Sequence, residues 1–102
     1  MTERARPGPS DPGTVVLELG PGIGALILDA PAALDGAEIE ISRDGRPRTH
    51  ALVRPRHAPG RTGYAAVYPD LPPGEYTVWR AGGPAGTVTV REGQVSRFRW
   101  PG

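Results

Sequence analysis

The sequence contains no cysteine, no lysine, no asparagine and no long hydrophobic run. Without cysteine, neither a disulfide nor a thiolate metal site can stabilise the fold. A chain of this kind fits a reducing compartment. No stretch is long and apolar enough to span a membrane, and the first residues do not resemble a signal peptide. We therefore expect a cytoplasmic protein without a membrane span.

The first 13 residues consist of proline, glycine, small and charged residues and lack an apolar cluster. This composition predicts a disordered N-terminal tail over residues 1–13. The remaining length, residues 14–102, suits a single small domain, which we expect to be a monomer. The formal net charge is only +1, so no global field favours nucleic acid as a partner.

Glycine and proline are abundant, with 15 and 13 residues, and they fall between short apolar runs. Strands separated by such turn residues, at spacings of about 8–12 residues, are typical of a sandwich or barrel. The alternation predicts eight strands, over residues 14–19, 24–29, 37–42, 48–54, 63–68, 75–80, 86–91 and 94–100. We therefore predict an all-β fold, a seven- or eight-stranded antiparallel β-sandwich of immunoglobulin-like type.

Two turns are indicated by their residue types. Asp44-Gly45 is a hairpin signal that suits a type I′ turn, and Pro73-Gly74 suits the centre of a type II turn. After the second turn, Tyr76 and Val78 share one face of a strand, which we assign to the core. Residues 56–62, which include Pro59-Gly60, are predicted to form a basic loop.

The phrase Leu71-Pro72-Pro73-Gly74-Glu75-Tyr76-Thr77-Val78, following a strand, resembles the transthyretin-like and carboxypeptidase-regulatory-like β-sandwiches. The resemblance covers about residues 63–90 and implies the same sandwich class. The whole chain also resembles short actinobacterial proteins of unassigned function. Some pilin-type relatives of this sandwich form Lys–Asn isopeptide bonds, which a chain without lysine and asparagine cannot make.

A glycine-rich motif, Glu18-Leu19-Gly20-Pro21-Gly22-Ile23-Gly24, resembles the first motif of S-adenosylmethionine-dependent methyltransferases. That resemblance implies a cofactor-binding fragment, which is one alternative function. A nucleotide-type loop, however, needs a helix after its glycines and a parallel sheet around it. The short apolar run that follows here predicts a strand, so we expect a turn between two strands and no cofactor.

The sequence offers few groups for catalysis or metal binding. Its serines do not occur in a nucleophile elbow, so we expect no enzyme activity. His50 and His57 are the candidate metal ligands, but a metal site needs three or four converging donors. A small-ligand or metal-binding sandwich that uses His50 is the second alternative. Otherwise we expect His50 to be a partly exposed histidine in a strand and His57 to lie in a loop.

The most distinctive feature is a cluster of arginines with one intervening acid, Asp44. Its members are Arg43, Arg46, Arg48, Arg54, Arg56 and Arg61. Guanidinium groups suit carboxylates and phosphates, whereas a nucleic-acid surface usually adds aromatic residues for stacking. The arginines could instead pair with acids such as Glu38 and Glu40 across strands. The sequence leads us to predict a non-enzymatic interaction or structural module that binds an acidic protein partner through this cluster.

Overall fold

A computed structural model of the chain describes residues 19–101, apart from the side chains of Ala58 and Arg61. Its strands are β1 (Gly24–Ala30), β2 (Glu38–Arg43), β3 (Thr49–Leu52), β4 (Arg54–Ala58), β5 (Arg61–Leu71), β6 (Gly74–Arg80), β7 (Gly83–Val90) and β8 (Val95–Arg99). A 3-10 turn, Ala32–Leu34, follows β1. The predicted tail, residues 1–13, and all of the predicted first strand except Leu19 lie outside the described residues.

The strands form two four-stranded sheets. Sheet A has the order β4-β5-β1-β8, and sheet B has the order β3-β2-β6-β7. Neighbouring strands are antiparallel except for β1 and β8, which run parallel to each other. This pairing arises because the chain crosses from sheet B to sheet A between β7 and β8. The all-β sandwich prediction is confirmed.

The core lies between the two sheets and follows the alternation of the strands. Its buried members are Leu26, Leu28, Ile39, Ile41, Val53, Ala66, Tyr68, Leu71, Tyr76, Val78 and Val90. Tyr76 and Val78 therefore face the core as predicted. Phe98 and Trp100 pack against this core near the end of the chain. Gly86 makes room for Phe98, because a Cβ there would lie 2.9 Å from the aromatic ring.

The predicted strand over residues 48–54 and the predicted basic loop over residues 56–62 are both wrong. The chain pairs with β2 only as far as Leu52, and Val53 carries it from sheet B to sheet A. Val53 is fully buried, and its backbone is bonded to Ala37 O at 2.9 Å and to Gly36 N at 2.8 Å. The supposed loop is the hairpin of β4 and β5, with Pro55 in an edge strand, where proline is tolerated.

The two predicted turns have different outcomes. Asp44 and Gly45 both have positive φ, 33° and 68°, as a type I′ turn requires. Gly74 has a φ of 150°, whereas a type II turn needs about 80° at its third residue. The type II prediction is therefore wrong, because β5 and β6 belong to different sheets and the chain crosses between them here.

Helical structure is minor in the part of the chain that the structure describes. Between residues 19 and 101, no helix has the length and apolar character needed to cross a membrane.

Candidate functional site

The outer face of sheet A, which we call the outer A face, combines arginines with apolar residues. Strand alternation and register place the following side chains on it: Ala25, Ile27 and Asp29 from β1, Arg54 and Arg56 from β4, Ala65 and Val67 from β5, and Val95, Arg97 and Arg99 from β8. Four arginines and one aspartate thus surround an apolar centre.

The opposite surface, the outer B face, is more acidic. It carries Glu38, Glu40 and Ser42 from β2, His50 and Leu52 from β3, Glu75, Thr77 and Trp79 from β6, and Thr87 and Thr89 from β7. Arg48, which precedes β3, lies against this face. The two outer faces therefore differ in charge, although the net charge of the chain is only +1.

The structure does not bring the predicted arginine cluster together. Because Val53 moves the chain from one sheet to the other, the arginines before and after it lie on different sides of the sandwich. Arg48 is on the outer B face, whereas Arg54 and Arg56 are on the outer A face. A single flat partner cannot contact both groups at once.

Arg43 is held by the crossing between β5 and β6. Its Nη1 donates a hydrogen bond to Pro73 O at 2.8 Å, and its Cδ packs where a Cβ of Gly74 would otherwise lie. Tyr76 also contacts this segment, since its hydroxyl donates to Pro72 O at 2.6 Å. Arg43 therefore has a structural contact. Arg46 is exposed at the same end, beside a cavity of about 300 Å³.

Arg48 is engaged by two partners on the outer B face. Its Nη1 donates to Glu40 Oε1 at 2.8 Å, and its guanidinium lies 4.0 Å from the centre of the Trp79 ring. The indole Nε1 of Trp79 in turn donates to Ser42 Oγ at 2.8 Å. Arg48 therefore pairs with an acid of its own chain, which is the alternative to partner binding that the sequence offered. A cation–π contact reinforces this pair.

The arginines of β4 are less completely paired. Arg54 is exposed, and Arg56 is half-buried with its Nη2 3.5 Å from Ala65 O. The Nε of Arg56 is buried and has no hydrogen-bond partner within the described part of the chain. The Arg61 side chain is outside the described residues.

The two histidines lie in different sheets and do not converge. His50 Nε2 is 3.6 Å from Glu38 Oε2 on the outer B face, and both side chains are exposed. His57, in β4, has its Nδ1 3.1 Å from Thr62 Oγ1. Among residues 19–101, no group of three or more histidines and acids is placed to hold a metal ion. The geometry therefore gives no support to a metal site at His50.

Within the glycine-rich motif, Pro21 and Gly22 form a turn and β1 begins at Gly24, so the segment after the glycines is a strand, as predicted. Glu18 lies outside the described residues. Gly22 N donates to Glu92 Oε2 at 2.9 Å, and Gly93 N donates to Ile23 O at 2.8 Å. In a phosphate-binding loop, the backbone N–H groups would be available to the cofactor. Here the N–H group of Gly22 already donates to a side chain of the same chain.

Sequence reasoning missed the contribution of β8 to the outer A face. Arg97 makes two hydrogen bonds to the Asp29 carboxylate, at 2.9 and 3.1 Å, across the parallel pair of β1 and β8. Alternation with the core residue Phe98 already implied that Arg97 and Arg99 point outward. Nothing in the sequence indicated that β8 would lie in the same sheet as Arg54 and Arg56.

Comparisons with protein-family models, curated proteins and solved structures found no match to this chain. The resemblance to transthyretin-like sandwiches therefore stays a prediction.

Proposed function

We propose that this protein is a non-enzymatic interaction module that binds an acidic protein surface through its outer A face. The observation that carries the proposal is the placement of four arginines around an apolar centre on that face, with Asp29 as the one acid among its assigned residues. Of the five apolar residues assigned to this face, Val67 is half-buried and Val95 is exposed, whereas the other three are buried. Arginine is enriched at protein interfaces, and complementary charge guides the encounter of the partners.

Arg54 and Arg56 are the residues on which the proposal depends most. Arg54 is exposed, and Arg56 is half-buried, with its Nη2 at the long distance of 3.5 Å from Ala65 O. A carboxylate that approached β4 could accept hydrogen bonds from both guanidinium groups, which bind carboxylates in a planar, bidentate geometry. Arg43 and Arg48 fit this role less well, because each is held within the chain by a hydrogen bond of 2.8 Å, whereas the contact of Arg56 with Ala65 O is 3.5 Å long.

The proposal is tested with a polymer of defined charge. We expect wild-type protein to be retained on immobilised poly-L-glutamate at low ionic strength and Arg54→Glu/Arg56→Glu to lose most of this retention. Added salt should also weaken wild-type binding, since exposed charges are screened over about 8 Å at physiological ionic strength.

The matched control is Arg46→Glu/Arg80→Glu, which makes the same change in formal charge at two exposed arginines away from the outer A face. We expect this variant to keep most of its retention. Equal losses in the two double variants would contradict the proposal, because they would show a response to net charge and no preference for a face.

A further inference from the structure

A cavity of about 300 Å³, which we call the end cavity, opens where the turn between β2 and β3 meets the crossing from β5 to β6. This volume is at the lower limit for pockets that bind small molecules. Its lining includes the apolar or aromatic residues Ile41, Leu71 and Tyr76 and the polar residues Arg43, Arg46 and Thr49. None of the lining residues is acidic. The end cavity therefore combines an apolar wall with positive charge.

The apolar wall of the end cavity is a margin of the core. Ile41, Leu71 and Tyr76 all belong to the buried cluster between the sheets. The hydroxyl of Tyr76 donates to Pro72 O at 2.6 Å, so the polar end of this ring already has a partner. An apolar group in the cavity would contact side chains that the core holds in place. This wall suits a compact apolar body.

Arg43 supplies a fixed positive charge beside this wall. Its Nη1 donates to Pro73 O at 2.8 Å, and its stem packs against Gly74. Burial raises the pKa of Tyr76, and the charge of Arg43 opposes this rise, so the guanidinium acts on the ring that lines the cavity. A guanidinium has five N–H donors, so one hydrogen bond leaves others for a ligand. Because the fold already orders Arg43, a ligand gains its charge at little entropic cost.

Arg46 supplies a second positive charge and is exposed. Its backbone N–H donates to Arg43 O at 2.8 Å, so the turn keeps the two arginines close along the chain. The Arg46 side chain has no hydrogen bond or ion pair with the other residues that the structure describes. Asp44, the acid of this turn, does not line the cavity. Guanidinium groups bind carboxylates in a planar, bidentate geometry, so Arg46 is suited to an anionic ligand.

We propose that the end cavity binds a small organic acid, in which a carboxylate is attached to a compact apolar body such as one ring. The carboxylate pairs with Arg46 near the fixed charge of Arg43, and the ring lies against Leu71 and Tyr76. This inference goes beyond the proposed function and does not depend on it, because the lining residues are not those of the outer A face. Poly-L-glutamate lacks the apolar body and is not a ligand of this cavity.

Titration of the full chain with 3-phenylpropanoate, followed by amide chemical shifts, tests the proposal. At the usual binding energy per atom, a compound of this size binds with a Kd of about 1 mM. We expect saturable shifts at lining residues, namely Arg46, Thr49 and Tyr76. Two controls separate the parts of the ligand, because 3-phenylpropanamide lacks the charge and acetate lacks the ring. Each should bind at least several-fold more weakly.

Arg46→Gln tests the arginine itself. Its side chain has no partner among the described residues, so the variant should keep the melting temperature of wild type. Its Kd for 3-phenylpropanoate should rise about tenfold or more, as expected for a lost hydrogen bond between charged groups. The matched control is Arg80→Gln, which makes the same change in charge at an exposed arginine at the other end of β6. Its Kd should stay within twofold of wild type.

Three results would overturn the inference. They are the absence of saturable shifts below about 10 mM probe, equal affinities for the acid and its amide, and equal losses in Arg46→Gln and Arg80→Gln. The same chemistry also occurs at the C-terminus of a peptide that ends in phenylalanine. Tighter binding of such a peptide than of 3-phenylpropanoate, lost on amidation, would support the site and identify a chain end as the source of its ligand.

Discussion

Tyr68 joins the two sheets through one hydrogen bond. It belongs to β5 of sheet A, and its hydroxyl donates to Ile39 O in sheet B at 2.6 Å. The residue is 3% exposed. Burial raises the pKa of this hydroxyl far above its ordinary value, with a smaller opposing effect from a backbone hydrogen bond at Ala51. The folded protein therefore holds Tyr68 neutral in alkaline solution.

This shift makes the free energy of unfolding sensitive to alkaline pH. Below a pH of about 10, tyrosine is neutral in both states, and the contribution of Tyr68 is complete. Above that pH the unfolded chain ionises while the folded chain does not, so the unfolded state binds fewer protons and stability falls as pH rises. Urea unfolding between about pH 8 and pH 11 should show this fall, reduced in Tyr68→Phe.

Tyr64→Phe is the matched control, because Tyr64 is a half-buried tyrosine of the same strand. Tyr68→Phe should also be less stable at neutral pH, by about 1 kcal/mol for the lost hydrogen bond. Burial raises the pKa of Tyr76 as well, so some alkaline dependence should remain. If the free energy of unfolding changed with pH identically in wild type and Tyr68→Phe, Tyr68 would ionise as readily in the folded protein as in the unfolded chain, which would contradict the prediction.

Edge strand β4 is an element that the local sequence did not predict. Its residues include Pro55, and Pro59-Gly60 follows directly after its last residue, Ala58. Prolines and a Pro-Gly pair indicate a loop when only neighbouring residues are considered. An edge strand tolerates proline because one side of its backbone does not pair, and whether a strand is at an edge depends on distant parts of the chain. The alternating strands β2 and β6 needed no such information and were predicted within two residues.

Two glycines in neighbouring strands should respond differently to alanine. A Cβ on Gly24 in β1 would collide with the backbone oxygen of Arg91, whereas a Cβ on Gly63 in β5 would meet nothing within 4 Å. We expect Gly24→Ala to lower the melting temperature clearly, because the turn between β7 and β8 must move away. Gly63→Ala should be neutral or stabilising by up to about 1 kcal/mol, through the unfolded state.

Thermal unfolding followed by circular dichroism compares the two variants directly. Both glycines are free of the positive φ that alanine resists, so backbone strain does not confuse the comparison. Equal melting temperatures for Gly24→Ala and Gly63→Ala would mean that the close approach of β1 to Arg91 is easily relieved.

At the scale of the whole molecule, the sequence predicted the sandwich class and most of the strands that the structure describes, but it could not predict the arrangement of the candidate site. Alternation identifies which side of a strand faces the core, yet it carries no information about which sheet the strand joins. The arginine cluster, continuous along the chain, is divided at Val53, and six of the ten residues assigned to the outer A face come from β1 and β8. Pairing between distant strands brings these residues together.

The division at Val53 also ties the sheets to each other. One residue separates β3 in sheet B from β4 in sheet A, and it is fully buried. We therefore expect both sheets to open in one cooperative step. Leu28→Ala, in sheet A, should destabilise the protein by about 2–5 kcal/mol and lower hydrogen-exchange protection equally in β5 and in β6 of sheet B.

Thr87→Ala on the exposed outer B face is the control for this experiment and should change protection in neither sheet. A loss of protection confined to sheet A in Leu28→Ala would contradict the expected coupling.

The parallel pairing of β1 with β8 affects how the protein folds during its synthesis on the ribosome. Ala25 pairs with Val95, 70 positions later in the chain. At synthesis rates of about 5–20 residues per second, β1 waits about 4–14 s before β8 is made. Contacts between such distant residues also form slowly, because a long loop must close first. Until β8 is made, the nascent chain presents at least one unpaired edge of an aliphatic strand, and such an edge is open to aggregation and to capture by a chaperone.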